Sequence, residues 1–154
     1  VVARRTLEEL DDHLEALSTA ECLDYLSAGG LGRVGFAVAG TAIMLPVIYA
    51  MLGEHEIVFL TSSGSKLRAI EEGSVLTFEI DHLGDDGIGW SVLATGPARA
   101  TTDPTVMEAV QELGVRPKAP GRKDHVVGID VRFVTGRRFG APPSFGRALH
   151  AREP

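Results

Sequence analysis

The chain has one cysteine, one tryptophan and little basic charge in its first two thirds, and no apolar run is as long as a membrane span. A single Cys22 excludes an internal disulfide and any metal site built from several cysteines. Lying in a helix-patterned stretch, it reads as a small buried hydrophobe. The longest apolar candidate, "TAIMLPVIYAML", falls short of the roughly 18 residues a spanning helix needs and is interrupted by Pro46. The N-terminal "VVARRTLEELDDHLEAL" is acidic and amphipathic rather than a charged start followed by an apolar core, so no secretory signal is expected. The cytoplasm is the expected compartment. The five histidines lack metal-ligand spacing, and Asp85-Asp86-Gly87 lacks the recurring acids of a calcium loop, so no metal is expected. Asp81-His82 has no serine in a strained elbow to serve, and no side chain is an evident general acid or base.

Charge is unevenly spread. Residues 1–113 hold 6 Lys/Arg against 18 Asp/Glu, whereas residues 114–154 hold 9 against 3. An acidic body argues against general nucleic-acid binding, which needs a basic face. The basic segment "RPKAPGRKDH" reads as a solvated Pro-containing loop; the alternative is a loop that contacts an anionic ligand or a partner subunit.

With 154 residues, 44% hydrophobic and 23% charged, the chain has the length and composition of one globular domain. Its expected parts are N-terminal helices (1–30), a barrel (31–140) and a tail (141–154). Thr6 with Glu9, and leucines at 7, 10, 14 and 17, predict a helix from Thr6 to about Leu17. Ser18 with Glu21 opens a second, short helix that Gly29 ends. "GRVGFAVAG" and "TAIMLPVIYAML" predict two strands turning at Ala39-Gly40-Thr41, and Pro46 marks an edge, a bulge or a ligand-facing position. "IVFLT" is a third strand and "SVLTFEIDH" a fourth. "WSVLATGPARAT" is a long fifth, broken at Gly96-Pro97, and "VVGIDVRFVTGRRFG" is a single last strand. Asp103-Pro104 starts a helix running to about Leu113. About six strands with mostly tight connections exclude a parallel βαβ sheet. An α+β protein is predicted, built on a small antiparallel barrel with short helices packed outside.

The most unusual stretch is "FLTSSGSKLRAIEEG", residues 59–73. A strand delivers its chain into a helix start through Ser62, Ser63, Gly64 and Ser65, which leave backbone amides accessible, and Lys66 adds a full charge in the first turn. A lysine there meets the positive end of the helix dipole, a placement that an incoming anion would offset. Two readings stand: Ser63 caps the helix while Lys66 is solvated, or the segment receives a phosphate.

These pieces in their order, "GRVGFAV", "IMLPVIYAM", "EIVFLTSSGSKLRAI", "VLTFEID" and "GWSVLATGPARAT", resemble the pyridoxamine 5′-phosphate oxidase-like family of flavin-binding split barrels, in its short general flavin-binding branch. The likeness runs from about Gly32 to Thr102. It implies a six-stranded antiparallel split barrel of Greek-key order, and a homodimer with flavin mononucleotide (FMN) at the subunit interface. It places Thr61, Ser62, Ser65 and Lys66 at the phosphate and ribityl end, Pro46, Val47, Ile48 and Tyr49 along the ring, and Trp90 and Ser91 against the flavin of the partner, with Leu67 a further cofactor-binding candidate. Arg138 is a further candidate contact. The implied activity is that of an FMN-dependent oxidoreductase acting on a small molecule; the alternatives are a deazaflavin-dependent reductase and a non-catalytic flavin or haem binder. No basic, tryptophan-containing C-terminal segment is found, so a vitamin B6 phosphate is not the expected substrate.

Overall fold

The computed structural model describes residues 14–64, 67, 68, 70, 74–116 and 121–140. Eight strands appear there: β1 (Glu15–Leu17), β2 (Gly30–Val38), β3 (Thr41–Leu52), β4 (Glu56–Thr61), β5 (Val75–Leu83), β6 (Gly89–Thr101), β7 (His125–Asp130) and β8 (Phe133–Phe139). Two short helices accompany them, α1 (Thr19–Ser27) and α2 (Pro104–Glu112). The strands run in the order β1-β8-β6-β5-β2-β3-β4-β7, and a further β6–β7 pairing closes six of them into an antiparallel barrel. Three successive strands, β2 to β4, pair in sequence and the fourth, β5, returns beside β2, which is the Greek-key arrangement. The split barrel expected from the resemblance is the fold observed.

Local signals explain most of the elements. The α1 capping box is formed: Glu21 N donates to Ser18 Oγ at 3.3 Å, and Ser18 N donates to Glu21 Oε2 at 2.8 Å. Those bonds from Ser18 hold the Glu21 carboxyl below its usual range. At the other end Gly29 takes φ 63° and turns the chain into β2. The β2–β3 hairpin turns on Ala39 (φ 48°) and Gly40 (φ 79°), the positive-φ pair that a tight right-twisted hairpin needs. In β5, Leu76, Phe78 and Ile80 are buried and alternate with Val75, Thr77 and Glu79, as period two requires. Asp103 caps α2 by accepting from Thr105 N at 2.8 Å, with Pro104 first in the helix.

Two expectations are corrected. Glu15–Leu17 is a strand, not the end of a helix; it pairs with Gly136–Arg138 of β8, so an open sheet edge outweighs local helical spacing. The remainder of that expected helix, Thr6–His13, lies outside the described residues. The expected single last strand is two, β7 and β8, because the chain steps across at Val131-Arg132.

That step is matched by β6. From Gly89 to Thr95 it pairs with β8, and from Ala98 to Thr101 with β7. Gly96 is the point of exchange. A Cβ there would lie 1.8 Å from the carbonyl oxygen of Asp130, and Arg132 N donates to Thr95 O at 3.0 Å. Only glycine lets the departing strand pass this closely.

The barrel interior holds Val34, Phe36, Tyr49, Ile57, Phe59, Leu76, Phe78, Val92 and Val127, with Cys22 and Leu26 of α1 packed into the same cluster. Burial is also what raises the Cys22 thiol. A second cluster, Ala50, Val58, Leu60, Val110, Val115 and Val126, lies beneath α2 on the outside of β3, β4 and β7. The Gly96→Ala variant should lose stability at or above the upper end of the ~1–3 kcal/mol typical of overpacking, because backbone rather than a side chain must move. Chemical denaturation measures this; a loss under about 0.5 kcal/mol would show that the strand exchange tolerates a side chain.

Candidate functional site

The β3–β4 ladder runs only from Leu52–Glu56 to Tyr49–Phe59. Beyond that pair the strands diverge: Leu60 and Thr61 pair with β7, while Thr41–Ile48 pair with β2 alone. The fork is a slot of about 280 Å³. One wall is Leu45, Pro46, Val47 and Ile48 of β3 with Leu31, Val34 and Phe36 of β2; the other is Phe59, Leu60, Thr61 and Ser62, with Ile70 and Lys123.

Pro46 therefore sits on a strand edge, one of the three positions its sequence context allowed. That edge of β3 has no described strand beside it, so backbone donors and acceptors there are available to a ligand. The slot is apolar over most of its length and polar at one end. Thr61 is buried and its hydroxyl donates to Ser62 O at 3.4 Å. Lys123 stands at the same end, half-buried, with no ion pair among the described residues.

Five of the expected residues thus come together in one slot: Pro46, Val47, Ile48, Thr61 and Ser62. Leu67 is buried in the interior cluster beside Ile70. Ser65 and Lys66 lie outside the described residues; next to them, Arg68 N donates to Gly64 O at 3.2 Å, a helical bond at the expected helix start. Tyr49 directs its side chain inward: its hydroxyl donates to Leu26 O at 3.0 Å, and its ring meets Phe78 edge-on at 4.7 Å. Burial pushes its phenol up to about 12.

The other three stand elsewhere. Trp90 stacks on Tyr25 of α1 at 4.1 Å. Ser91 faces outward, opposite Asp81 of β5 and Arg137 of β8. Arg138 is held by Glu15 at 3.0 Å and Glu21 at 3.6 Å, and so ties β8 to β1 and α1.

Sequence reasoning did not single out Lys123. Its only signal was membership of the basic segment that was given two readings. Its neighbour Asp124 accepts from His125 Nδ1 at 2.9 Å and lies 3.7 Å from Arg122, and the His125 bond chiefly holds that carboxyl below its usual range.

The outer face of β8, β6, β5, β2 and β3 is the second notable surface. Phe133, Leu93, Val75, Leu31 and Met44 are exposed on it, at 74%, 43%, 63%, 61% and 60%. Arg33 pairs with Glu79 at 2.9 Å and with Asp81 near its centre. Leu31 belongs both to this face and to the slot. No helix among the described residues is long and apolar enough to cross a membrane.

Comparison with known proteins adds the following. The family model described as pyridoxamine 5′-phosphate oxidase matches residues 18–138. No curated protein matches the sequence. Among solved structures, the FAD binding protein of Mycobacterium smegmatis is 29% identical at TM-score 0.64, covering 80% of this chain and 97% of its own. A conserved protein of unknown function from Corynebacterium diphtheriae is 30% identical at TM-score 0.66, covering 82% and 98%. A FAD-binding protein of Mesorhizobium loti shares the fold at 20% identity and TM-score 0.67, covering 82% and 99%.

Tyr49 supplies a test of the buried contact between β3 and α1. Its folded phenol titrates near 12, above the unfolded value of about 10, so its contribution is complete below pH 10 and is lost as pH rises toward 12. Denaturation midpoints measured across that window should fall more steeply for the wild type than for Tyr49→Phe. Tyr49→Phe should also cost about 1 kcal/mol at neutral pH. Parallel pH profiles for the two proteins would contradict a buried phenol.

Proposed function

The chain belongs to the pyridoxamine 5′-phosphate oxidase family, and we propose that it binds FMN in the slot between β3 and β4 and serves as an oxidoreductase acting on a small molecule. The observation that carries this reading is the slot's two-part character. A flat apolar channel beside an open strand edge suits a planar ring system that needs backbone hydrogen bonds. The polar end suits an anionic tail. Flavin nucleotides combine the two, and the flavin-binding relatives support that class of ligand. When bound, a flavin supplies the transfer of electrons or hydride.

The protein's own residues would do the positioning. Pro46, Val47 and Ile48 offer the ring one wall and the free edge of β3, and Leu31 offers a second apolar surface. Thr61 and Ser62 begin the phosphate end, continued by Ser65, Lys66 and the backbone of the following helical turn. Leu67, buried behind that turn, holds it against the barrel.

Two copies of the chain pack through the outer face of β8, β6, β5, β2 and β3 in this reading. That face carries exposed Phe133, Leu93 and Met44 and is continuous with the slot through Leu31, so a second copy would complete the walls around the ligand. Ser91 is directed toward such a copy; Trp90, stacked on Tyr25, would support the strand from beneath. Arg138 would act mainly through its ion pairs with Glu15 and Glu21, by holding β8 in place at the end of this face.

Lys66→Ala should weaken FMN binding by ~1.5–3 kcal/mol, roughly tenfold or more, with little change in the stability of the ligand-free fold. Fluorescence titration measures this, and unchanged affinity would place the phosphate elsewhere. Light scattering of the wild type should give a dimer at micromolar concentration, and Leu93→Arg should shift it to monomer. A wild-type monomer under those conditions contradicts the shared-interface arrangement.

A further inference from the structure

We infer that Lys123 is a cation of the phosphate-binding end, contributed by a chain segment distant in sequence from the Thr61–Gly64 stretch that leaves β4. The inference rests on the flavin-nucleotide reading above and adds to it a binding residue on the approach to β7.

Three observations converge on this residue. Lys123 lines the slot, whose other lining residues are apolar except Thr61 and Ser62. It is half-buried, as a lysine is when its stem covers apolar surface and its ammonium keeps to the rim. The nearest acid in sequence is not free to neutralise it, because Asp124 is engaged by His125 at 2.9 Å and approached by Arg122 at 3.7 Å. An ammonium beside apolar walls without a carboxylate partner among the described residues is a poor arrangement until an anion arrives.

The register says which part of the ligand it meets. Thr61 pairs with His125, so β7's approach runs alongside the chain leaving β4, and Lys123 stands next to the Ser62–Gly64 bend. It is therefore at the tail end of the slot, not beside the Pro46–Ile48 wall. A cation from this segment would meet the phosphate from a different direction than the chain leaving β4 does. The same contact would tie the approach to β7 to ligand binding.

The test compares FMN with riboflavin, which has the same ring and ribityl chain but no phosphate. Equilibrium titrations would use the wild type, Lys123→Ala, Lys123→Gln and Lys123→Arg. Glutamine keeps the stem and so controls for loosening of the segment. The expected result is about tenfold weaker FMN binding by the alanine and glutamine variants, unchanged riboflavin binding, and FMN affinity largely kept by arginine. Equal weakening of both ligands would put Lys123 at the ring, and no change in either would leave it solvated; each overturns the inference but not the flavin reading. A wild type that binds neither ligand overturns both.

Discussion

The competition for β4 shapes this molecule more than any other interaction. A strand has two hydrogen-bonding edges, and β4 uses both only from Glu56 to Phe59, with β3 on one side and β7 on the other. At Leu60 and Thr61 it keeps β7 and leaves β3. The ladder with β7 is supported on its outer side by the apolar cluster under α2, where Val58, Leu60 and Val126 meet Val110 and Val115. Burial of that cluster favours β7 as the retained partner. The consequence is an open edge on β3, and with it the slot.

A barrel that opens on one side must be secured on another. Closure comes from β6, which is long enough to serve two sheets in succession, pairing with β8 in its first half and β7 in its second. The exchange takes place where Asp130 passes over Gly96 at a distance only a residue without a side chain permits. Inside, Tyr49 links the last rung of the β3–β4 ladder to the end of α1 through Leu26. Rigid walls set by buried residues, with binding groups at their rim, are the arrangement that positions a ligand accurately.

The distribution of charge follows the same geometry. The acidic body contributes Glu79 and Asp81 to Arg33 on the outer face and Glu15 and Glu21 to Arg138 at the sheet end, where they hold strands together. The slot's polar end instead receives Lys123 from the basic C-terminal third. Asp124 beside it is engaged by His125, and Lys123 has no ion pair among the described residues. The excess of acid over base in the first 113 residues and the reverse afterwards thus acquires a structural meaning that net charge alone does not have.

Local chemistry by itself determined much of this protein. The Ser18–Glu21 box, the Ala39-Gly40 turn, the alternation through Leu76, Phe78 and Ile80 and the Asp103-Pro104 start each depend on residues a few positions apart, and each is found as read. Pro46, read as marking an edge, a bulge or a ligand-facing position, stands at an edge. Tertiary structure alone decided the rest. Glu15–Leu17 became a strand because β8 offered an edge 120 residues away, and the last strand became two because β6 had to be shared. Lys123 reached the slot through the β4–β7 register, a pairing across some 60 residues of chain. Capping, turning and alternation are short-range effects written in neighbouring residues; which strand pairs with which depends on how much apolar surface the whole chain buries at once, and no local window contains that sum.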